Sequence, residues 1–460
     1  MSRKKLAHAW LIFGIIALLL SGFLSIIVTG AKMPFVKPLL GNLDWIRWFL
    51  VIHVNLATLV WFTAIPVGIS HSVHLGANDD NDRKEIFAGF FGLSLSVLGV
   101  LLMMSTWPRE GVTPLLSNYI PVVTHFRHDL GLILYFMGVL INYFTPSMFL
   151  PHTRIKGLFF ESRFGLWVGA LFFVLAAVTL GTAYLQLDIN QFLTPHSFYE
   201  IGMWGGGHLL QHSSSVFLVV IWIQLLKGIN GGKIIWNRKN LFPIFAAFSI
   251  PALLTPILLF SEPTSDFYRS GFTYFMMWGI APPMLYFILI TIKETGWRSL
   301  IKFEDPRAMA LTGSFLLVMI GFVFGALIRG PDLRVPGHYH ATIGAVTVAF
   351  FVVAYAELFK TIPRVLKIGV PLYIFGQILF SSGMFTAGLF GIGRKTYGAE
   401  HDLSHIGQYV GFAMLGIGGL IALAGGVCFG LAVWQKIGFE KKTQNIFDAA
   451  NSELIWIKRE

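Results

Sequence analysis

The sequence predicts an all-α, polytopic membrane protein of about twelve transmembrane helices, forming a single membrane domain over residues 1–460. Three observations predict it. Hydrophobic residues make up 55% of the chain and charged residues only 12%, with a mean hydropathy of +0.69, the balance of a bilayer-embedded protein. Apolar runs near the ~20 residues needed to cross a bilayer recur at 8–29, 45–73, 86–106, 130–150, 165–187, 198–226, 241–260, 268–292, 308–328, 337–359, 367–390 and 405–435. With the N-terminus inside, the inner segments hold 24 of the 34 Lys and Arg residues and the outer segments 10. That is the positive-inside bias, and it places both termini inside. The net charge of +11 follows from this topology and implies no nucleic-acid partner.

The first run follows Arg3-Lys4-Lys5. It is longer than a signal-peptide core and lacks a small-x-small cleavage site, so it reads as a span. The second span carries His53 about two turns below the outer surface, deep enough to need a partner. That partner is either a ligand or a group on a neighbouring span. His71 and His74 read as interfacial at the inner end. The long outer segment from Trp107 to Asp129 contains Asn118-Tyr119-Ile120-Pro121 and is placed to cap a cofactor, with His125 and His128 read as solvated.

Span six opens Trp204-Gly205-Gly206-Gly207-His208, with His212 one turn on. Residues i and i+4 share a helix face, a spacing that suits one metal ion. The three glycines cost about 1 kcal/mol each relative to alanine. Either they admit something bulky close to the backbone or they form a packing face between helices. Glu262 and Asp266 lie in the short outer loop after span seven, and no histidine occurs between His212 and His338.

Span ten opens Gly337-His338-Tyr339-His340. Two residues on a helix are about 200° apart, so these imidazoles leave opposite faces and cannot share one small ion. Each can ligate the iron of a separate large planar cofactor; the alternative is that both sit at the water interface. Arg394-Lys395, after span eleven, lie level with the histidines and suit carboxylates such as haem propionates. The lone Cys428 excludes disulfides, thiolate metal sites and covalent haem attachment. Any metal must then be held by histidine, carboxylate or other oxygen ligands.

In this topology His53, His208, His212, His338 and His340 fall in the outer half of the bilayer, on spans two, six and ten. One depth is what a layer of cofactors needs. A six-coordinate haem takes two axial ligands, which His53 and one of the span-ten histidines would supply. The other would hold an open haem, with His208 on its far side.

On His53, the Trp204-x-x-x-His208 motif, the His338-x-His340 motif and the Arg394-Lys395 pair, the chain resembles subunit I of the heme–copper oxidase superfamily over essentially its whole length. The resemblance implies a twelve-helix fold and two haems. His53 and His340 would hold a low-spin haem and His338 a high-spin haem, with Arg394 and Lys395 meeting propionates. His208, beside Trp204, would ligate a third metal, copper or (as in nitric oxide reductases) non-haem iron. It further implies a respiratory-chain oxidoreductase of a bacterial or archaeal inner membrane. Electrons would come from a small cytochrome or a copper-containing donor subunit, and dioxygen would be the gas reduced.

The chain also departs from that pattern. Ile257 and Leu258 stand where the family has two adjacent copper-ligating histidines, and His212 stands where many oxidases carry a tyrosine. Two outcomes stay open: a rebuilt site of His208, His212 and Glu262, which would favour iron over copper, or an empty second site beside a haem. No acidic residue or lysine lies near the middle of a span, and Glu357 is close to the inner end of span ten, so proton pumping is expected to be weak or absent. The competing readings are a nitric oxide reductase-like catalytic subunit, a two-haem electron carrier or gas sensor that has lost the second metal, and a cofactor-free transporter. The last does not account for the histidine layer.

Overall fold

The computed structural model describes residues 2–32, 43–73, 81–145, 160–192, 194–231, 238–394 and 403–457. Among these residues twelve long helices follow one another: α1 Arg3–Lys32, α2 Leu43–Val73, α3 Asn81–Met104, α4 Phe126–Tyr143, α5 Phe160–Gln186, α6 Trp204–Ile229, α7 Arg238–Leu259, α8 Asp266–Thr295, α9 Pro306–Ala326, α10 Arg334–Phe359, α11 Arg364–Leu389 and α12 Ile406–Ile457. All but α4, 11 in number, are long and apolar enough to cross a membrane. The exception matches the fourth expected span. It starts earlier than expected because His125 caps its N-terminus, which brings Arg127 and Asp129 into its first turn. The sixth span also starts differently: a short helix, Pro195–Gly202, precedes α6, with Met203 between them.

Successive helices pack as neighbours, with α3 against α4, α5 against α6, α9 against α10 and α11 against α12, and α1 also touches α12. The seam between α11 and α12 is built on small residues: a Cβ on Gly376 would collide with the Ala422 backbone nitrogen. Close backbone approach of this kind is how membrane helices associate without a hydrophobic driving force.

Which helices lie innermost decides where a site can be. In the most apolar window of each span, 72% of α2, 72% of α6 and 67% of α10 is buried, against 33% of α12. These three, α2, α6 and α10, are the helices that carry the five histidines of the expected layer. At the histidine-bearing ends of these helices, the segment between α3 and α4 folds into a two-stranded antiparallel hairpin, β1 Pro114–Leu115 and β2 Val122–Val123.

Two histidines, His71 read as interfacial and His128 read as solvated, are interior. His71 donates from Nε2 to Asn142 Oδ1 (2.8 Å), which also accepts from Trp10 Nε1 (3.2 Å). This buried network ties α1, α2 and α4 together at the end away from His53, satisfying groups that hydrocarbon would leave unpaired. His128 is fully buried, its Nε2 3.4 Å from Asn55 Nδ2, which also donates to the Pro121 carbonyl (3.0 Å). Asn55 opens a π-helical stretch of α2, Asn55–Val60. His74 lies outside the described residues.

Candidate functional site

Three of the five histidines are oriented by one device. His53 donates from Nδ1 to the Ser21 carbonyl of α1 (2.9 Å). His208 donates from Nδ1 to the Trp204 carbonyl one turn earlier (2.7 Å). His338 donates from Nδ1 to the Gly321 carbonyl of α9 (2.7 Å). A carbonyl oxygen only accepts, so each proton sits on Nδ1 and each lone pair on Nε2. Imidazoles that bind metals are held in this way by a second hydrogen bond, which fixes tautomer and ring direction.

Each ring is also fitted by its surroundings. The Ser21 hydroxyl donates to the His53 carbonyl (3.0 Å), doubling the tie between α1 and α2. A Cβ on Gly325 would come within 2.9 Å of the His338 ring, so α9 leaves the ring its space. His340 departs toward α11, where it meets Phe380 edge-on (5.0 Å, 85°). His338 toward α9 and His340 toward α11 is the opposite-face arrangement their spacing requires. Helices α2 and α10 meet where Trp61 and Phe62 pack on Phe350 (6.3 and 6.1 Å), about two turns below His53 and more below His340. His53 and His340 therefore both lie beyond that contact, toward the same end of the two helices, and the imidazoles of His53 and His338, anchored through Nδ1, fit haem ligation.

The residues expected at a third metal are not brought together. His212 is turned the other way: its Nε2 donates to the Phe248 carbonyl of α7 (3.0 Å), and its ring lies 4.0 Å from that of Phe172. Its Nδ1 is buried without a partner among the described residues. Glu262 is exposed and accepts from Thr264 Oγ1 (2.5 Å), in the turn from which Ser265 caps α8. Ile257 is 56% exposed on the outside of α7. Among the described residues no group of three His, Cys, Asp or Glu side chains is placed to hold a metal ion. This donor set does not fit copper or non-haem iron, which need several converging ligands.

The position beside His208 is instead taken by Tyr119, whose hydroxyl lies 3.0 Å from Nε2. Because Nδ1 carries the ring proton, the phenol is the donor. Tyr119 has a left-handed backbone (φ 69°) and meets Trp204 edge-on (6.0 Å, 90°). The glycine run serves this packing: a Cβ on Gly207 would collide with the Tyr119 ring, one on Gly206 with Leu180, and one on Gly205 with the Tyr268 hydroxyl. Protein side chains occupy that face. Trp204 is itself held by Nε1–H to the Arg269 carbonyl (3.0 Å).

Arg394 joins the same assembly. It donates to Asn118 Oδ1 (2.9 Å) and lies 3.9 Å from Glu200 Oε1, which accepts from Asn118 Nδ2 (2.6 Å). Burial, and then the Glu200 charge, push the Tyr119 phenol well above its ordinary range, with Arg394 pulling the other way. Lys395 lies outside the described residues. Sequence reasoning passed over Tyr119, Asn118 and Glu200 as site residues; an aromatic in an outer loop facing a triple glycine was the available signal. The carbonyls of Ser21 and Gly321 carry no side-chain signal at all.

No family model matches the chain. It is 26% identical to an uncharacterized protein of Rickettsia prowazekii (strain Madrid E), covering 93% of this chain and 94% of that one. It is 25% identical to an uncharacterized protein of Aquifex aeolicus (strain VF5), covering 76% of this chain and 83% of the other. Among solved structures it is similar to a heme–copper terminal oxidase dimer determined by cryo-EM. The TM-score is 0.69 at 16% identity, over 94% of this chain and 84% of that one. The chain is thus a polytopic all-α membrane protein that shares the fold of a heme–copper terminal oxidase over nearly its whole length.

Proposed function

We propose that the protein is a haem-binding oxidoreductase of a respiratory membrane. In this reading His53 and His340 hold a low-spin haem, His338 holds a high-spin haem, and Arg394 and Lys395 serve the propionates. A small cytochrome or copper-containing subunit delivers electrons, and the substrate is a small gas, dioxygen. The observation that supports it most directly is the shared orientation of His53 and His338, each with Nδ1–H on a backbone carbonyl of another helix. Two haems bound there would supply one-electron transfer and one open coordination position. The chain's part is to hold Nε2 of each imidazole forward: Ser21 of α1 and Gly321 of α9 stop either ring from swinging about its Cβ bond. The shared fold with a terminal oxidase agrees with this reading.

One optical spectrum of the reduced protein, with and without carbon monoxide, tests it. Two kinds of haem, one of them reactive with the gas, are expected. A colourless protein, or haem bands that survive replacement of His53, His338 and His340 together, would overturn it. A second reading, a two-haem electron carrier or gas sensor without a second metal, is favoured by the misfit of His208, His212 and Glu262. Turnover under dioxygen and under nitric oxide separates the two, because a carrier or sensor consumes neither.

A further inference from the structure

We propose that the phenol of Tyr119 takes the place of a second metal at His208, so that the outer end of α6 carries a phenol–imidazole hydrogen bond instead of copper or non-haem iron. The inference deepens the functional reading above but does not need haem to be present.

An imidazole offers a metal one lone-pair nitrogen at a time. His208 has spent Nδ1 on the Trp204 carbonyl, so only Nε2 is left, and Nε2 faces the Tyr119 hydroxyl at 3.0 Å. Tyr119 is fixed there from several sides. Its φ of 69° is a conformation that costs a side-chain-bearing residue about 1–2 kcal/mol and persists only where the surroundings over-determine it. Its ring fills the notch left by Gly207 and stands on Trp204. Its neighbours are tied as well: Asn118 to Glu200 and Arg394, and Ser117 Oγ to the Ile120 carbonyl (2.8 Å). To reach His208, a metal would have to break this assembly for a single imidazole, with His212 turned onto Phe248 and Glu262 facing water. Tyr119 is thus a positioning residue. It holds His208 by the side that a metal would use.

The test uses the purified full-length chain in detergent, incubated with excess copper(I) or iron(II) and then desalted. Total copper and iron are measured by elemental mass spectrometry, and haem iron is counted separately by its pyridine complex. No copper is expected, and no iron beyond the haem count. With selectively 15N-labelled histidine, the lone-pair resonance of His208, assigned through His208→Gln, should move in Tyr119→Phe. A metal content near about one equivalent per chain, lost in His208→Gln, overturns the proposal. So does a histidine spectrum that Tyr119→Phe leaves unaltered. Should Tyr119→Phe fail to accumulate, the metal count of the natural chain against His208→Gln decides alone. Absence of haem would end the functional reading without touching this result.

Discussion

Tyr119 Oη and His208 Nε2 meet at 3.0 Å across 89 residues of sequence, joining the hairpin between α3 and α4 to the start of α6. Removing the hydroxyl leaves a buried imidazole acceptor unpaired. Tyr119→Phe should therefore cost about 1–2 kcal/mol, read as a lower unfolding midpoint in detergent. A variant as stable as the natural chain would show that the hydrogen bond contributes nothing.

Gly207→Ala probes the same contact from the helix side. The added methyl would overlap the Tyr119 ring, and the phenol ring is rigid, so the loop must lift. We expect about 1–3 kcal/mol of destabilisation, although alanine is the better helix former. Limited proteolysis between Trp107 and His125 should accelerate. Unchanged cleavage would mean that the loop can yield without leaving.

For the haem reading, His53→Ala and His340→Ala should abolish the same set of low-spin bands. His338→Ala should keep those bands and lose the response to carbon monoxide. The reduced-minus-oxidised spectrum of each variant decides. If the His53 and His340 variants lose different features, the pairing of these two residues is wrong.

Asp332 should make the N-terminal end of α10 sensitive to acid. Its two oxygens accept from Arg334 Nε (2.9 Å) and Nη2 (2.6 Å), with both side chains about one-sixth exposed. Burial pulls the carboxyl upward, but the Arg334 hydrogen bonds and charge together outweigh it and hold the carboxyl below the usual range. A depressed carboxyl stabilises the fold above its unfolded value, near about pH 4, and loses that contribution as pH falls through its folded value. The thermal midpoint of the natural chain should accordingly drop more steeply below about pH 4 than that of Asp332→Asn. Parallel curves would remove the ion pair from the account.

Much of the fold was legible in the sequence because crossing a bilayer imposes length and apolarity directly, and eleven of the twelve expected spans are helices that satisfy both. The orientation of His338 and His340 toward different neighbours follows from helical periodicity alone. What could not be read are relations set by packing between distant segments. His71 reads as interfacial and His128 as solvated because they border polar loops, yet Asn142 and Asn55 meet them inside. The glycines before His208 were legible as a vacancy, but their filling by Tyr119 depends on a loop conformation with φ of 69° at that residue, which nothing in its local sequence announces. Glu262 stood close to α7 in sequence, and the turn after it directs its carboxylate to Thr264.

The π-helical stretch Asn55–Val60 gives α2 two phases. A widened turn accommodates an extra residue, and each residue added to a helix rotates the remainder of that helix by about 100°. His53 belongs to the segment above that step, and Trp61 to His71 belong to the one below. The azimuth of the histidine is thus decoupled from that of the tryptophan-bearing half. Both halves pack on α1, the upper through His53 on Ser21 and the lower through Gly68 on Leu11, while the lower half also seats Trp61 and Phe62 on Phe350.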